Sequence, residues 1–220
     1  MKKVLIACEY SGSVRDEFLK LGFDAHSCDL LPCESKYYTN PDRHHQGDIL
    51  EVLNQDWDLM IAHPPCTHLA VSGARWFTQG KKPWSLQIES LEFVRKLLDA
   101  DIKHIALENP VSVISTKIRK PDQIIQPFHY GDSVKKTTCL WLKNLPDLIP
   151  TDIVEPEMVL MKGNKKMSKF HYETFKLPPK ERGHARSKTF EGIAKAMAKQ
   201  WGDYITQNNG EKWWRMNTTM

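Results

Sequence analysis

Short segments scattered through the first half of the chain hold the residue types from which a reactive centre can be built: Glu9-Tyr10-Ser11-Gly12, Asp29, Gly47-Asp48-Ile49, His63-Pro64-Pro65-Cys66 and Glu108-Asn109-Pro110. Cys66 offers a thiol that becomes a nucleophile once deprotonated. A lone cysteine is usually a small buried hydrophobe, but two prolines directly before this one fix the backbone and hold the thiol on a rigid loop. Glu108 offers a proton or a negative charge. A carboxylate after a buried strand can equally cap a following helix, and Asn109-Pro110 argues against a helix starting there. Asp29 stands where nucleoside-binding folds hold ribose hydroxyls, at the end of a second strand about 20 positions beyond the first turn. Gly47-Asp48-Ile49, taken alone, also reads as a turn whose Asp caps a short helix.

These side chains can meet only if strands end next to one another. From Val4 to Leu142 short apolar runs alternate with helical patterns, which predicts an α/β fold with a mostly parallel sheet covered by helices. Strands are predicted over 4–8, 25–28, 58–62 and 102–107, each just ahead of one of the chemical segments, where an open sheet of this kind binds ligands. Further strands are expected near 124–128 and 139–142. Ser13 with Asp16 and Glu17 reads as a helix cap, followed by Val14, Phe18 and Leu21 at helical spacing until Gly22. A second helix places Ile88, Leu91, Val94 and Leu98 on one face. Beyond Leu142, prolines and lysines crowd together and predict an irregular basic arm over 143–189. A helix over 190–205 buries Ile193, Met197, Trp201 and Ile205, and the tail over 206–220, with Trp213 and Trp214, is expected to be loosely held.

Composition narrows the function classes. The 220 residues, 40% hydrophobic, suffice for one domain, and a formal charge of +4 permits a polyanionic partner without requiring one. Five scattered cysteines without a CxxC pair indicate neither a disulfide framework nor a metal site, and point to a reducing, cytoplasmic setting. The apolar run after Met1-Lys2-Lys3 is shorter than a secretory core and reads as a strand. No stretch approaches the roughly 20 apolar residues of a membrane span.

As an ordered set, these loops resemble the cytosine-5 DNA methyltransferase family, and more closely a compact group of such enzymes found in phages and prophages. The resemblance runs from about Lys3 to Trp201. It implies a Rossmann-like S-adenosylmethionine-dependent methyltransferase fold, with helices on both faces of the sheet. Ala7-Cys8-Glu9-Tyr10-Ser11-Gly12 is similar to the family's first motif, which implies that Tyr10, Ser11, Gly12 and Ser13 contact the cofactor. Asp29 matches the acid on its ribose with Leu30 beside the adenine, Asp48 and Ile49 match the loop on the adenine amino group, and Pro64 is expected at the same site. Pro64-Pro65-Cys66, with Gly73 behind it, matches the nucleophile loop, and Glu108-Asn109-Pro110 resembles the Glu-Asn-Val motif. Lys136 stands where the family has an arginine beside the active site.

The implied chemistry needs these residue types. Cytosine C5 is too electron-poor to attack a methyl sulfonium, so the Cys66 thiolate first adds at C6. An acid on N3 and the exocyclic amine must stabilise the charge that develops, which predicts that Glu108 is held protonated or readily protonated near neutral pH. A duplex substrate must flip its cytosine into the pocket. Typical members carry a recognition domain before the last helix. Here only the basic arm lies there, and Lys162, Lys165, Lys166 and Lys169 are expected to neutralise phosphates. The partner is therefore expected to be DNA, in host cytoplasm if the chain is phage-encoded. Single-stranded nucleic acid, RNA, a cytidine nucleotide, or a catalytically silent decoy remain alternatives to a duplex-modifying enzyme with short or relaxed specificity.

Overall fold

β1 (Lys3–Ala7) runs through the middle of the sheet because its residues from Val4 to Ala7 are apolar on both faces, a pattern only a doubly covered strand can bury. The protein is described by a computed structural model covering residues 1–207 except 36, 38 and 39; Trp213 and Trp214 therefore lie outside the described residues. After β1 come α1 (Ser13–Lys20), β2 (Asp24–Asp29), β3 (His44–Gln46) and β4 (Leu59–Ala62). Next are α2 (Ala74–Thr78), α3 (Ser85–Leu98), β5 (His104–Pro110), α4 (Ile114–Lys117), β6 (Gln123–Ile125) and β7 (Thr138–Lys143). The strands form one seven-stranded sheet in the order β3-β2-β1-β4-β5-β7-β6. The first five are parallel, and β7 runs antiparallel between β5 and β6. This is the mostly parallel α/β sheet expected from the alternation of apolar runs and helices, in the Rossmann-like form that the resemblance implies.

Period-two alternation divides the core between the two faces. Val4, Ile6, Leu59, Ile61 and Ala106 pack with Val14 and Phe18 of α1 and with the C-terminal helices. Leu5, Ala7, Met60, Ala62, Ile105 and Leu107 pack with Leu91, Val94 and Leu97 of α3. The last helical segment comprises α7 (Glu191–Ala196), a π-helical turn over Met197–Trp201 and α8 (Gly202–Thr206). Its stripe of Ile193, Met197, Trp201 and Ile205 is buried as expected, and Trp201 Nε1 donates to the Pro146 carbonyl at 3.0 Å.

Several local expectations are corrected. The buried face of α3 is Gln87, Leu91, Val94 and Leu97, while Ile88 is exposed, because Gln87 turns inward to donate to the His68 carbonyl. β3 went unread because a three-residue edge strand of His-His-Gln carries no apolar signal. β5 extends through Asn109 and Pro110, which pair with Cys139 and Thr138 of β7, and residues 127–129 form a 3-10 turn rather than strand. The arm over 143–189 is more regular than expected. It holds a hairpin of β8 (Met158–Leu160) and β9 (Lys166–Ser168), then α5 (Lys169–Phe175) and α6 (Pro179–Ser187). Both faces of that hairpin are largely exposed, so its sequence shows no alternation.

Gly192 explains how closely α7 seats. A Cβ there would come within 1.8 Å of the Tyr130 carbonyl oxygen, whereas Gly183 in α6 faces open space. Gly192→Ala should therefore destabilise the protein by about 1–3 kcal/mol through overpacking, while Gly183→Ala should be neutral or stabilise by about 0.5–1 kcal/mol by favouring the helix. Urea unfolding midpoints of the two variants check this. Equal midpoints would mean that α7 does not dock as closely as described.

Candidate active site

Sheet register assembles the site. Cys28, Ala7, Ala62 and Leu107 align in one row across β2, β1, β4 and β5. The next residues along the four strands, Asp29, Cys8, His63 and Glu108, therefore emerge side by side at the carboxyl edge. Backbone bonds continue the alignment past the strands, with His63 N donating to Ala7 O at 2.9 Å and Glu9 N to Cys28 O at 3.2 Å. Cys8 sits in the left-handed region with φ 59°, a strained turn for a non-glycine residue, which sends the chain away from the sheet.

That turn buries Glu9. Its carboxylate accepts from the Val14 and Arg15 amides at 2.7 and 3.2 Å, so Glu9, and not Ser13, caps α1, while Gly12 at the N-cap takes φ 73°. Burial nevertheless pushes the Glu9 carboxyl up, against the lowering effects of His63, these two amides and Arg15. Arg15 is wholly buried and donates to Asp16 Oδ1 at 2.7 and 2.9 Å and to Ser27 Oγ at 3.2 Å, tying α1 to β2.

A cavity of about 370 Å³ opens beside this row. Asp29, Leu30, Asp48 and Ile49 line it, together with Cys8, Cys28, Gly47, Pro65, Glu89, Ser90 and Phe93. The size and the mixture of apolar walls with three carboxylates, Asp29, Asp48 and Glu89, suit a nucleoside. Asp29 accepts from the Leu31 amide at 2.9 Å and Asp48 from the Leu50 amide at 3.0 Å, so each acid also shapes its own loop. Asp48 is thus the cap of a short 3-10 helix as well as a wall of the cavity. Desolvation raises the Asp29 carboxyl, and the same cause, with Asp29 next, pushes the Cys28 thiol up to about 12 and keeps the Cys8 thiol protonated. Cys8, Cys28, Ser90 and Phe93 carried no chemical signal in sequence, because they line the cavity as neutral surface, and Glu89 reads there as one more polar residue of an amphipathic helix.

Other anticipated cofactor residues lie elsewhere. Tyr10 turns toward α6, its hydroxyl 2.6 Å from Ser187 Oγ and its ring against His184. Ser11 and Ser13 line a separate cavity of about 300 Å³ with Asp16, Glu17, Glu34 and Glu191. Gly12 is packed against Ser35 and Arg15, and Pro64 is buried, its carbonyl accepting from Asn109 Nδ2 at 2.9 Å.

Cys66 is the one exposed cysteine. The Leu69 and Ala70 amides donate to its carbonyl at 3.0 and 2.9 Å, and Lys82 Nζ donates to the Thr67 carbonyl at 3.2 Å, so the loop is held in a tight turn. Desolvation and then the Glu108 charge raise its thiol, while Lys136 lowers it. Lys136 itself is fixed from the arm side, donating to the Arg186 carbonyl at 2.8 Å with its ammonium 5.5 Å from the Phe190 ring centre. The structure thus brings Cys66, Glu108 and Lys136 within electrostatic reach of one another. His63, which the sequence reading gave no role, joins them with Nδ1 3.2 Å from Glu108 Oε2. Of the two expected states of Glu108, held protonated or readily protonated, the site disfavours the first. Burial alone would raise its carboxyl, but the His63 hydrogen bond and the charges of Lys136 and His63 outweigh it and leave it below the ordinary range.

Lys162, Lys165, Lys166 and Lys169 are exposed along the β8–β9 hairpin and the start of α5. Lys169 is engaged by Glu157 at 2.7 Å. Among the described residues, no group of three or more His, Cys, Asp and Glu is arranged to hold a metal, and no helix is long and apolar enough to cross a membrane.

No protein-family model matches the chain, and no curated protein matches it. A solved structure from E. coli, described as a candidate DNA modification methyltransferase encoded within a prophage, is similar over 70% of this chain and 52% of its own, with 14% identity and a TM-score of 0.41. The chain spans about half the length of that structure.

The opposed charges around Cys66 make a directional prediction. Thiolate formation, read as the iodoacetamide alkylation rate of Cys66 against pH, should have its midpoint above that of an ordinary thiol. Lys136→Gln should move it further up and Glu108→Gln should move it down, by the loss of an attracting and a repelling charge respectively. Shifts in the same direction, or none, would show that these groups do not face the thiol.

Proposed function

We propose that this protein transfers a methyl group from S-adenosylmethionine to C5 of cytosine in DNA through a covalent Cys66 adduct, with short or relaxed sequence specificity. The observation that carries the reading is one shared edge: the exposed Cys66 on its Pro-Pro loop, with Glu108 and Lys136 around it, opens next to a nucleoside-sized cavity walled by Asp29 and Asp48. S-adenosylmethionine, held there, supplies an electrophilic methyl group. Asp29 takes the ribose hydroxyls through its remaining lone pairs, Asp48 takes the adenine amine, and Leu30, Ile49 and Phe93 cover the ring. Cys66 attacks C6 as a thiolate, and Lys136 offsets the charge this brings into the site. Glu108 holds N3 and the exocyclic amine, and carries a proton to N3 as charge builds on the ring.

The lysines of the hairpin and α5 supply backbone contacts to DNA. Lys162, Lys165 and Lys166 have no ion-pair partner among the described residues, whereas Lys169 already faces Glu157. Phosphate contacts of this kind give affinity without reading sequence, which fits an arm too small to contain a separate recognition domain.

Cys66→Ala should abolish 5-methylcytosine formation, measured by mass spectrometry on duplex, single-stranded and mononucleotide substrates, and leave cofactor binding intact; a variant keeping more than about one per cent of the rate would rule out the covalent route. Asp29→Ala and Asp48→Ala should each weaken S-adenosylmethionine binding at least about tenfold by calorimetry, the loss of a hydrogen bond to a charged group.

Replacing Lys162, Lys165, Lys166 and Lys169 together by Gln should reduce the log–log salt slope of duplex binding by roughly two to three units, at about 0.9 per phosphate contact. An unchanged slope would favour a nucleotide or single-stranded substrate instead.

A further inference from the structure

We propose that His63 is the positioning residue that supplies, and afterwards reclaims, the proton Glu108 delivers to the target base; this rests on the cytosine-5 reading above. The geometry around this ring is unlike that of a structural histidine. Its side chain is 7% exposed, Nδ1 lies 3.2 Å from Glu108 Oε2, and Nε2 is buried without a hydrogen-bond partner. A histidine kept only for packing satisfies both nitrogens when buried, since an unpaired one costs its full desolvation. The backbone holds the ring in place, because His63 N is bonded to Ala7 O and the β4–β5 register sets it directly beside Glu108.

The reaction itself demands a donor behind Glu108. Burial is overcome there by His63 and Lys136, so the carboxyl lies below its ordinary range and the free protein presents a carboxylate, which cannot donate. Glu9 is the other buried acid facing the ring, and both of its oxygens already accept from the Val14 and Arg15 amides. Arg15 on α1 lies behind it, paired with Asp16. Lys136, ahead of β7, is bonded to the Arg186 carbonyl and acts as a fixed charge. Cys66 on the same loop and Cys139 on β7 both feel Glu108 and are raised by burial. That leaves His63, with Nδ1 3.2 Å from Glu108 Oε2, as the group placed to pass a proton to Glu108.

The transfer balances. As the Cys66 Sγ–C6 bond forms, the C5=C6 electrons move to C4=C5 and the C4=N3 electrons to N3. N3 takes a proton from Glu108, and Glu108 takes one from His63 Nδ1, leaving a neutral imidazole. The C4=C5 electrons would then take the methyl group from the cofactor sulfonium, whose sulfur–methyl bond breaks to leave a neutral thioether, and C5 loses its proton to solvent. N3 returns its proton through Glu108 to His63 as C4=N3 and C5=C6 reform and the Sγ–C6 bond breaks, with its electrons leaving on the thiolate.

The test compares wild type with His63→Gln by mass-spectrometric 5-methylcytosine formation across pH, with S-adenosylmethionine binding and thermal unfolding as controls on folding. The wild-type rate should be bell-shaped, rising as Cys66 ionises and falling as the shared proton is lost. His63→Gln should bind cofactor normally, lose about 10²-fold in rate, and lack the falling limb. In a Glu108→Gln background the same change should cost nothing more. A His63→Gln profile parallel to wild type overturns the proposal while leaving the cytosine-5 reading intact. If the wild type forms neither 5-methylcytosine nor an adduct with 5-fluorocytosine, that reading falls and takes this proposal with it. Should His63→Gln fail to fold, nitrogen NMR of wild-type protein labelled with 15N-histidine decides: His63 should lose a ring proton between the free protein and the trapped 5-fluorocytosine adduct, and an unchanged ring overturns the proposal.

Discussion

The parallel register of β2, β1, β4 and β5 is the constraint on which the site depends. Because Cys28, Ala7, Ala62 and Leu107 stand in one row, the residue after each is delivered to the same edge with neighbours fixed by ladder hydrogen bonds. A one-residue slip in the pairing of β4 would exchange Leu59 and Ile61 for Met60 and Ala62 across the sheet, which both packed faces forbid. Burial of the strands on both sides thus holds His63 against Glu108 and Asp29 next to Cys8. Chemical positioning here is a by-product of core packing.

Electrostatics follow from that placement. Acids and thiols brought to the edge of a buried sheet lose water, and each responds according to its partners. Cys8 and Cys28 are kept neutral by desolvation, reinforced by the charges of Asp29 and Asp48. Glu108 gains a histidine and a lysine and stays ionised despite burial. Cys66 lies between these cases, raised by desolvation and Glu108 and lowered by Lys136. The ammonium that opposes desolvation and Glu108 there comes from the segment preceding β7, held by the last residues of α6.

That contact gives the arm a second task. α6 touches the loop after β1 through Tyr10 and Ser187, and His184 and Lys188 approach Glu34 at 3.3 and 2.9 Å. Arg186 in turn donates to Thr174 Oγ1 and the His171 carbonyl of α5, so the two helices are tied together. The segment proposed to grip phosphates is therefore coupled to the residues around Cys66 through a chain of short polar contacts.

How much was legible beforehand depended on burial. The central strands, α1 and the stripe from Ile193 to Ile205 were readable, since each is a run or period of apolar residues with one way to leave water. The loops bearing Cys66, Glu108 and Asp29 were readable because they follow those strands and carry unusual residues, whereas Asp48 was singled out only by the family resemblance. β3 and the β8–β9 hairpin were not, since edge and surface strands have no apolar pattern to show. Nor were the partners. Sequence alone determined that a thiol and the acids Asp29 and Glu108 end up at one sheet edge. Only the tertiary structure decided that Glu9 caps α1, that Tyr10 faces α6 rather than the cavity beside Asp29, and that His63 and Lys136 leave Glu108 charged. Those outcomes turn on distances of about one hydrogen bond between residues far apart in the chain, and desolvation makes each such distance decisive in a way that residue type and spacing do not record.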